Sequence, residues 1–317
     1  FISVADGDLA AVTGPHGASM TGGAMYIPTV LPSSRSMGLG DMQLTPQPRG
    51  ALADLKPSPV SGVAATAFDD SGVSSDLPLV DVRVEAIGLN FRDVLNVLNM
   101  YPGNPGPPGS DYAGVVIGGA NNAGADAFPP GTEIFGLAPG CLGTRVTACA
   151  LAAAPKPPGI SFADAAGCPT IFVTVDLALA EATPTTGHAN AVLVHAATGG
   201  VGLAACQVLA SQGKEVFATA GSARKRAMLR SLGITNVASS RSTEFLEVLL
   251  QTRGEPIDVV INSLTSSGMV CASLAALREG GGFAEISKRD IWSEQAAAMD
   301  HPTVNYKLVA TDFLSPH

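Results

Sequence analysis

The sequence carries little charge, and most of that charge is negative. Only 14% of the 317 residues are charged and 46% are hydrophobic, a composition typical of a globular chain rather than a disordered one. The formal net charge of −9 argues against nucleic acid as a partner, because lysines and arginines are scattered except around residues 224–230. The length leaves room for two domains, each with its own core.

Cysteines are few, and long apolar runs are missing. The five cysteines are widely spaced and form no CxxC pair, which argues against a disulfide framework and a structural zinc site. We therefore expect a reducing, cytoplasmic location. No apolar stretch reaches the roughly 18 residues of a membrane span, and the start lacks the charged region of a secretion signal. The sequence thus predicts no membrane association.

The first half of the chain divides into two regions of different composition. Residues 1–44 are rich in Gly, Ser, Pro and Met and are interpreted as a linker or leading flap, with a short strand at 24–27. Residues 45–165 contain short strands such as Leu79–Ile87 and Glu133–Leu137 between Gly, Pro and Asn turns, and predict a β-rich domain. We expect residues 300–317 and further C-terminal sequence to complete this domain. The chain begins with Phe1 and not Met, which suggests that it was cut from something longer or processed.

Residues 166–299 alternate between apolar strands and helical segments. This alternation predicts an α/β domain with a Rossmann-type parallel sheet and helices on both faces. The predicted strands are Ala191–Ala196, Glu215–Ala220, Asp258–Asn262 and Gly282–Ile286. In an open sheet of this type, ligands bind at the carboxyl ends of the strands.

A glycine cluster follows the first of these strands and opens the next helix. Gly200, Gly202 and Ala205 have the G-x-G-x-x-[GA] spacing, and Gly199 adds further backbone freedom. The turn formed by Gly199, Gly200, Val201 and Gly202 therefore predicts a pyrophosphate site at the positive end of a helix. The alternative is a glycine-rich turn that binds no ligand.

The second strand of this domain ends at Ala220 without the acidic residue that an NAD-selective protein usually places there. Instead, residues 221–226 (GSARKR) supply a hydroxyl group and three cations. These groups suit a 2′-phosphate, with which they form charge-assisted hydrogen bonds. The sequence thus predicts NADPH rather than NADH as cofactor, the alternative being a solvated basic helix end.

Seven segments carry a resemblance to a known family: GLNFRDVL (88–95), MYPG (100–103), ATGGVG (197–202), AGSARKR (220–226), NSL (262–264), GGGFAEISKRDI (280–291) and VNYKLVATD (304–312). Together they resemble the enoyl reductase domains of type I polyketide synthases and animal-type fatty acid synthases. These domains form part of a zinc-independent branch of the medium-chain dehydrogenase/reductase superfamily. The resemblance runs from about residue 44 to the end, and it implies that the β-rich domain is a GroES-like substrate domain.

The resemblance implies a reaction as well as a fold. It implies NADPH-dependent reduction of a trans-2-enoyl thioester carried on an acyl carrier protein, with hydride going to the β-carbon and a proton to the α-carbon. It also implies that the chain works inside a multidomain synthase, beside domains such as a ketoreductase.

The resemblance assigns roles in the reaction to four residues. Lys288 and Asp312 match a Lys and an Asp near the nicotinamide that act as acid or relay groups. Tyr101 matches a Tyr linked to the face on which the α-carbon is protonated, and Asn90 is the candidate contact to the substrate or the nicotinamide ribose. Each position also has a structural alternative, as a surface lysine, a strand-end aspartate or a turn residue.

Four further residues are candidate cofactor contacts. Ser222, Lys225 and Arg241 match the residues that bind the 2′-phosphate in the family. Asn262 ends a predicted sheet strand, so we expect it to face the nicotinamide half of the cofactor.

A catalytic metal is not expected. Zinc-binding alcohol dehydrogenases place a Cys ligand where this chain has Asn90 to Asp93, and a His-Glu pair where it has Ser110 and Asp111. Without thiolate or imidazole ligands, protein donors must stabilise the oxyanion in place of a zinc ion.

The sequence departs from the family at three places and leaves two other functions open. Asp111 stands where Glu is common, Ser287 where Gly is common, and Val175–Asp176 where an aromatic pair is common. One alternative is a free-standing quinone or alkenal reductase of the same superfamily, which leaves the segments at 100–103 and 286–291 unexplained. The other is a catalytically silent NADPH-binding module, kept for the architecture of a synthase.

Overall fold

A computed structural model describes residues 40–60, 77–101, 103–185, 187–287 and 291–309, together with three two-residue strands near the start. The described chain forms two units that divide between Thr170 and Ile171, where the sequence predicted a domain boundary between residues 165 and 166. The strand predicted at 24–27 lies outside the described residues.

The first unit is built on antiparallel strands. Its strands are β1 (Ile2–Ser3), β2 (Leu9–Ala10), β3 (Leu31–Pro32), β4 (Met42–Pro46), β5 (Leu55–Pro59), β6 (Leu79–Gly88), β7 (Asp111–Gly119), β8 (Glu133–Leu137), β9 (Arg145–Cys149) and β10 (Ala153–Pro155). Its helices are α1 (Phe91–Val97), α2 (Asn122–Ala125) and α3 (Phe162–Ala166).

The main sheet of this unit has the order β1-β6-β7-β8-β10, with β9 also paired to β6. Strand β6 explains how the sequence builds it, because Val80, Val82 and Val84 alternate with polar residues and bury one face against the core. Two short pairs, β2 with β3 and β4 with β5, lie outside this sheet. Strand β1 pairs with β6, so part of the region predicted as a linker or flap joins the sheet.

The second unit alternates strands and helices. After α4 (Pro169–Glu181), which begins at the unit boundary, come β11 (Ala191–Val194), α5 (Gly200–Ser211), β12 (Glu215–Ala220), α6 (Ala223–Ser231), β13 (Asn236–Ser239), α7 (Phe245–Arg253), β14 (Ile257–Asn262), α8 (Met269–Ala275), β15 (Leu277–Glu285), α9 (Glu294–Asp300) and β16 (Asn305–Leu308). All of the strand pairs are parallel, in the order β13-β12-β11-β14-β15-β16.

Both faces of the parallel sheet are buried. On β11, Val192 and Val194 pack into one hydrophobic core, whereas Ala191 and Leu193 pack into the other. A strand that is apolar on both faces is typical of a parallel sheet covered by helices. The structure therefore confirms the predicted fold class.

The end of the described chain differs from the sequence prediction. Strand β16 pairs with β15 in the parallel sheet, although residues 300–317 were expected to complete the β-rich domain. The physical reason is the side chain of Tyr306, which is buried and stacks on Phe283 of β15 with the ring centroids 4.9 Å apart. Residues 310–317 lie outside the described part.

One segment, Phe162–Glu181, has the length and composition of a membrane-spanning helix, whereas the sequence predicted no membrane association. It contains α3 and α4. Val175 and Ala178 of α4 are buried in a core of the parallel-sheet unit, and a core helix passes the same test of length and composition. The finding therefore adds no evidence for a membrane.

Candidate active site

The glycine turn lies between β11 and α5, as the sequence predicted. Gly199 is the N-cap of α5, and Gly200, Val201 and Gly202 form its first turn. A Cβ atom on Gly202 would lie 2.5 Å from Ala197 Cα, so only glycine lets the helix start this close to the preceding turn. The first amides of a helix lack acceptors within the helix, which suits them to a pyrophosphate.

The segment after β12 brings two of the predicted phosphate contacts together. Ser222 is the N-cap of α6, and its hydroxyl oxygen accepts from the Lys225 amide at 3.3 Å. The Arg241 guanidinium packs against Gly221, since a Cβ atom there would lie 2.8 Å from Arg241 Nε. Ser222, Lys225 and Arg241 are all exposed. The site therefore combines a helix N-terminus with a guanidinium group, which suits a phosphate.

Asn262 organises the carboxyl end of β14 and is fully buried. Its Nδ2 donates to Glu285 Oε2 at 2.6 Å and to the Leu264 carbonyl oxygen at 3.2 Å, while its Oδ1 accepts from the Leu264 amide at 3.2 Å. The structure thus places Asn262 at the predicted sheet edge and shows its amide held by the protein itself.

Glu285, which was not among the predicted site residues, lies at the same edge of the sheet. It ends β15, is only 1% exposed, and its Oε1 accepts from the Ser287 amide at 2.9 Å. The pKa of the Glu285 carboxyl is raised above its ordinary value, because the effect of burial outweighs that of the hydrogen bonds from Ser287 and Asn262, which lower it. The signal in the sequence was an acidic residue at the end of an apolar strand.

Asn90 lies at the start of α1 in the first unit. Its amide donates to Asp93 Oδ2 at 2.9 Å, and its Nδ2 donates to Asp111 Oδ2 at 3.0 Å. Asp93 also accepts from the Gly109 amide at 2.9 Å. Asp93 is therefore a helix-start residue, and Asn90 is fixed through both its backbone and its side chain.

Asp111 is the most deeply buried carboxylate of this cluster, at 1% exposure. Its Oδ1 accepts from the Thr170 hydroxyl at 2.5 Å, and the Thr170 amide lies 3.2 Å from both carboxylate oxygens. Burial raises the pKa of Asp111 to about 6, against the opposing effect of the hydrogen bonds from Thr170 and Asn90. This carboxyl therefore titrates close to neutral pH.

Tyr101 is half-buried and lies beside Arg92. The Arg92 guanidinium carbon is 5.4 Å from the centre of the Tyr101 ring, a cation–π geometry. Arg92 also donates to the Pro105 carbonyl oxygen at 2.9 Å and to the Ser110 hydroxyl at 3.3 Å. The ring is thus supported on one side by a fixed cation.

Two of the predicted reaction residues, Lys288 and Asp312, lie outside the described residues. The described part of the neighbouring segment ends at Ser287, whose amide is bound to Glu285. The roles of Lys288 and Asp312 therefore stay predictions.

The described residues of the first unit do not form a zinc site of the alcohol dehydrogenase kind. Across the described ranges, no group of three or more His, Cys, Asp or Glu side chains is arranged to hold a metal ion. The donor chemistry agrees with this finding, since Asn90 donates its amide to Asp111 and Ser110 accepts from Arg92. A carboxylate with these bonds is a poor match for tetrahedral N/S coordination.

Comparisons with known proteins identify the family to which this chain is similar. A family model described as zinc-binding dehydrogenase matches residues 200–309. The crystal structure of CurK enoyl reductase is 32% identical in sequence and has a TM-score of 0.73. The alignment covers 85% of this chain and 81% of the CurK enoyl reductase chain.

Curated relatives are synthases. The spectinabilin polyketide synthase protein NorB of Streptomyces orinoci is 39% identical over 279 residues, which is 85% of this chain. A phthioceranic/hydroxyphthioceranic acid synthase of Mycobacterium tuberculosis is 40% identical over 220 residues, or 68% of this chain. The matched regions amount to 12% and 10% of these relatives' lengths.

The parallel sheet with its glycine turn, joined to a β-rich unit, defines a member of the medium-chain dehydrogenase/reductase superfamily. Within that superfamily, the chain belongs to the enoyl reductase domains of polyketide synthases.

Proposed function

We propose that this chain catalyses the NADPH-dependent reduction of a trans-2-enoyl thioester carried on an acyl carrier protein. The observation that carries the proposal is the Arg241 guanidinium packed over Gly221, the residue that precedes Ser222 at the N-terminus of α6. It supports a cofactor with a 2′-phosphate in a chain of the enoyl reductase family. A free-standing quinone or alkenal reductase shares the cofactor half, so the substrate must be tested separately.

The cofactor residues divide into two groups with different tasks. The turn from Gly199 to Gly202 would bind the pyrophosphate through helix amides, without distinguishing NADPH from NADH. Ser222, Lys225 and Arg241 would bind the 2′-phosphate and provide the distinction. Asn262 and Glu285 would support the nicotinamide end, since they fix the carboxyl ends of β14 and β15.

The nicotinamide, when bound, supplies the hydride for the β-carbon. Lys288, oriented by Asp312, donates the proton to the α-carbon or stabilises the enolate oxygen, since a lysine in an apolar cleft can have its pKa lowered enough to donate. Tyr101 determines the face on which that proton arrives. Its ring is fixed by Arg92, which is consistent with a residue that sets stereochemistry.

The partners in this proposal are an acyl carrier protein and neighbouring synthase domains such as a ketoreductase. These partners are proposed because the curated relatives are synthases, and this chain spans about a tenth of their length. The proposed location is the cytoplasm, consistent with five free cysteines, which are expected in a reducing compartment.

The test is NADPH oxidation followed at 340 nm with a crotonyl thioester of pantetheine and, in parallel, with a quinone and an alkenal. We expect saturable turnover with the thioester and little with the other two. Turnover with a quinone or an alkenal alone would replace the proposal by the free-standing reductase function. Tight NADPH binding without turnover on any substrate, in this chain and in a longer chain that carries the flanking sequence, would indicate a silent module.

A further inference from the structure

Tyr101 is supported by the Arg92 guanidinium, and that support is only as firm as the groups that hold Arg92. Arg92 donates to the Pro105 carbonyl oxygen at 2.9 Å and to the Ser110 hydroxyl at 3.3 Å. Both acceptors belong to residues 103–110, which form no helix or strand. The position of the cation beside the Tyr101 ring therefore depends on the side chains that fix this segment.

Residues 103–110 cannot be fixed by backbone hydrogen bonds alone, because three of them are prolines, which lack the amide N–H. The carbonyl oxygens of such a segment rely on donors from other parts of the chain. The Gly106 carbonyl oxygen accepts two bonds of this kind, from Arg49 Nη2 at 2.6 Å and from Asn96 Nδ2 at 3.2 Å. Gly106 directly follows Pro105, whose carbonyl oxygen holds Arg92.

Arg49 can fix this carbonyl group because it is itself fixed. It lies between β4 and β5 and is half-buried. Its Nε donates to Asn96 Oδ1 at 2.9 Å, so Arg49, Asn96 and Gly106 form a closed ring of three hydrogen bonds. Asn96 is fully buried in α1, and the Gly50 amide donates to the Val97 carbonyl oxygen of the same helix at 2.9 Å. The rigid fork of a guanidinium makes two such bonds at once, whereas a lysine ammonium has no fork.

We propose that Arg49 is a positioning residue for Tyr101. It holds the Gly106 carbonyl group and thereby the neighbouring carbonyl group of Pro105. The Pro105 carbonyl oxygen binds Arg92, which in turn holds the Tyr101 ring. The consequence for the reaction is a fixed face of protonation at the α-carbon. This consequence rests on the proposed function, whereas the coupling of Arg49 to Tyr101 does not.

The direct test follows Tyr101 in the cofactor-free chain by ¹⁹F NMR after incorporation of 3-fluorotyrosine. The chain has four tyrosines, and the signal of Tyr101 is the one that is lost in Tyr101→Phe. We expect Arg49→Met to move this signal toward its position in Arg92→Met, where the cation is absent. In the double variant, Arg49→Met should add little to the shift, because both residues act through one contact. Arg49→Lys, which keeps the charge but not the fork, should give a smaller shift than Arg49→Met.

Lys56→Met, which removes an exposed cation from the neighbouring strand β5, is the matched control and should leave the signal in place. An unchanged Tyr101 signal in Arg49→Met would overturn the proposal. A shift of equal size with and without Arg92 would also overturn it, since Arg49 would then act by another route. Arg49→Lys keeps the test decisive where Arg49→Met fails to fold, because a natural signal in this milder variant contradicts the proposal as well.

The reaction has its own readout in the reduction of an α-methyl enoyl thioester of pantetheine, whose product has two possible configurations at the α-carbon. We expect Arg49→Met to lower the ratio of the two products by about 2- to 10-fold, the factor that corresponds to one lost hydrogen bond. Turnover of the unbranched crotonyl thioester should change little. A purely structural role for Arg49 would instead lower the turnover of both thioesters and leave the product ratio unchanged.

The two readouts separate the two parts of the proposal. A shifted ¹⁹F signal beside an unchanged product ratio would overturn the stereochemical consequence, while the coupling of Arg49 to Tyr101 stands. If the chain reduces no thioester, the proposed function falls, and the ¹⁹F result alone decides the role of Arg49.

Discussion

His195 in the parallel-sheet unit and Asp111 in the antiparallel unit are both almost completely buried, but their pKa values are shifted in opposite directions. His195 Nε2 lies 2.8 Å from the Ser273 hydroxyl, which itself donates to the Met269 carbonyl oxygen, so His195 is the donor in this bond. His195 Nδ1 lies 2.9 Å from the Thr219 hydroxyl and accepts from it. Both ring nitrogens are therefore satisfied in the neutral form.

This difference separates a structural polar group from one that can respond to pH. Burial lowers the pKa of His195 to about 3, so the imidazole stays neutral wherever the protein is folded near neutral pH. Burial raises the pKa of Asp111 to about 6, where a small change of pH alters its charge. Burial alone therefore does not mark a functional residue. The more informative property is whether the charge of the buried group changes within the pH range in which the protein works.

The largest expected effect concerns the proposed acid. Lys288→Ala should lower turnover with an enoyl thioester by about 10²- to 10⁴-fold, as expected for loss of one positioned acid, with NADPH affinity nearly unchanged. Steady-state kinetics and fluorescence titration measure the two quantities, and Lys56→Ala in exposed β5 serves as control. Unchanged turnover in an otherwise active protein would remove Lys288 from the mechanism.

The next effect separates the two cofactor groups. Replacing Lys225 and Arg241 together by Ala should weaken NADPH binding by about 2–4 kcal/mol through loss of charge-assisted bonds, and leave NADH binding nearly unchanged. Calorimetry with both cofactors measures the difference. Arg230→Ala, in the last turn of the same helix, is the control. An equal loss of affinity for both cofactors would show that these cations do not bind the 2′-phosphate.

The glycine turn should behave differently from the basic site. Gly202→Ala should destabilise the fold by about 1–3 kcal/mol through overpacking, and should weaken NADPH and NADH alike. The reason is the 2.5 Å approach of the added Cβ to Ala197 Cα. Gly199→Ala, where the nearest atom lies 3.3 Å away, is the milder comparison. Denaturant unfolding and calorimetry measure the two effects, and a Gly202→Ala variant with unchanged binding would contradict a close pyrophosphate.

The smallest effect tests the comparison of His195 with Asp111. The unfolded chain takes up a proton at a histidine near pH 6.5, whereas folded His195 does so only near pH 3, so the free energy of unfolding falls as the pH falls between these values. The slope should reach about 1.4 kcal/mol per pH unit from this group. His195→Gln should flatten it, and His188→Gln, an exposed position, should not. An unchanged slope in His195→Gln would show that His195 is not buried as a neutral group.

The sequence predicted features that depend on neighbours along the chain. The bounds of β8 and β12 agree with the predicted strands, because apolar alternation and flanking turns are local. The glycine turn was found for the same reason, since its spacing lies within seven residues.

Features that depend on distant contacts were missed. The bond between Thr170 and Asp111 joins residues 59 apart, and that between Asn262 and Glu285 joins residues 23 apart. No local pattern indicates such pairs, so neither the bond from Thr170 to Asp111 nor that from Asn262 to Glu285 was foreseen. The placement of β16 failed similarly, because the stacking of Tyr306 on Phe283 is a tertiary contact.

The central claim, that this chain transfers hydride from NADPH to an enoyl thioester, is tested most directly by isotope transfer. The chain is incubated with crotonyl-pantetheine and NADPH deuterated at C4 of the nicotinamide, in both stereoisomers, and the product is analysed by mass spectrometry and NMR. The account predicts a saturated thioester with one deuterium on the β-carbon from one of the two stereoisomers, and a solvent proton on the α-carbon. Oxidation of NADPH with no deuterium in the thioester from either stereoisomer, or deuterium on the α-carbon, would contradict it.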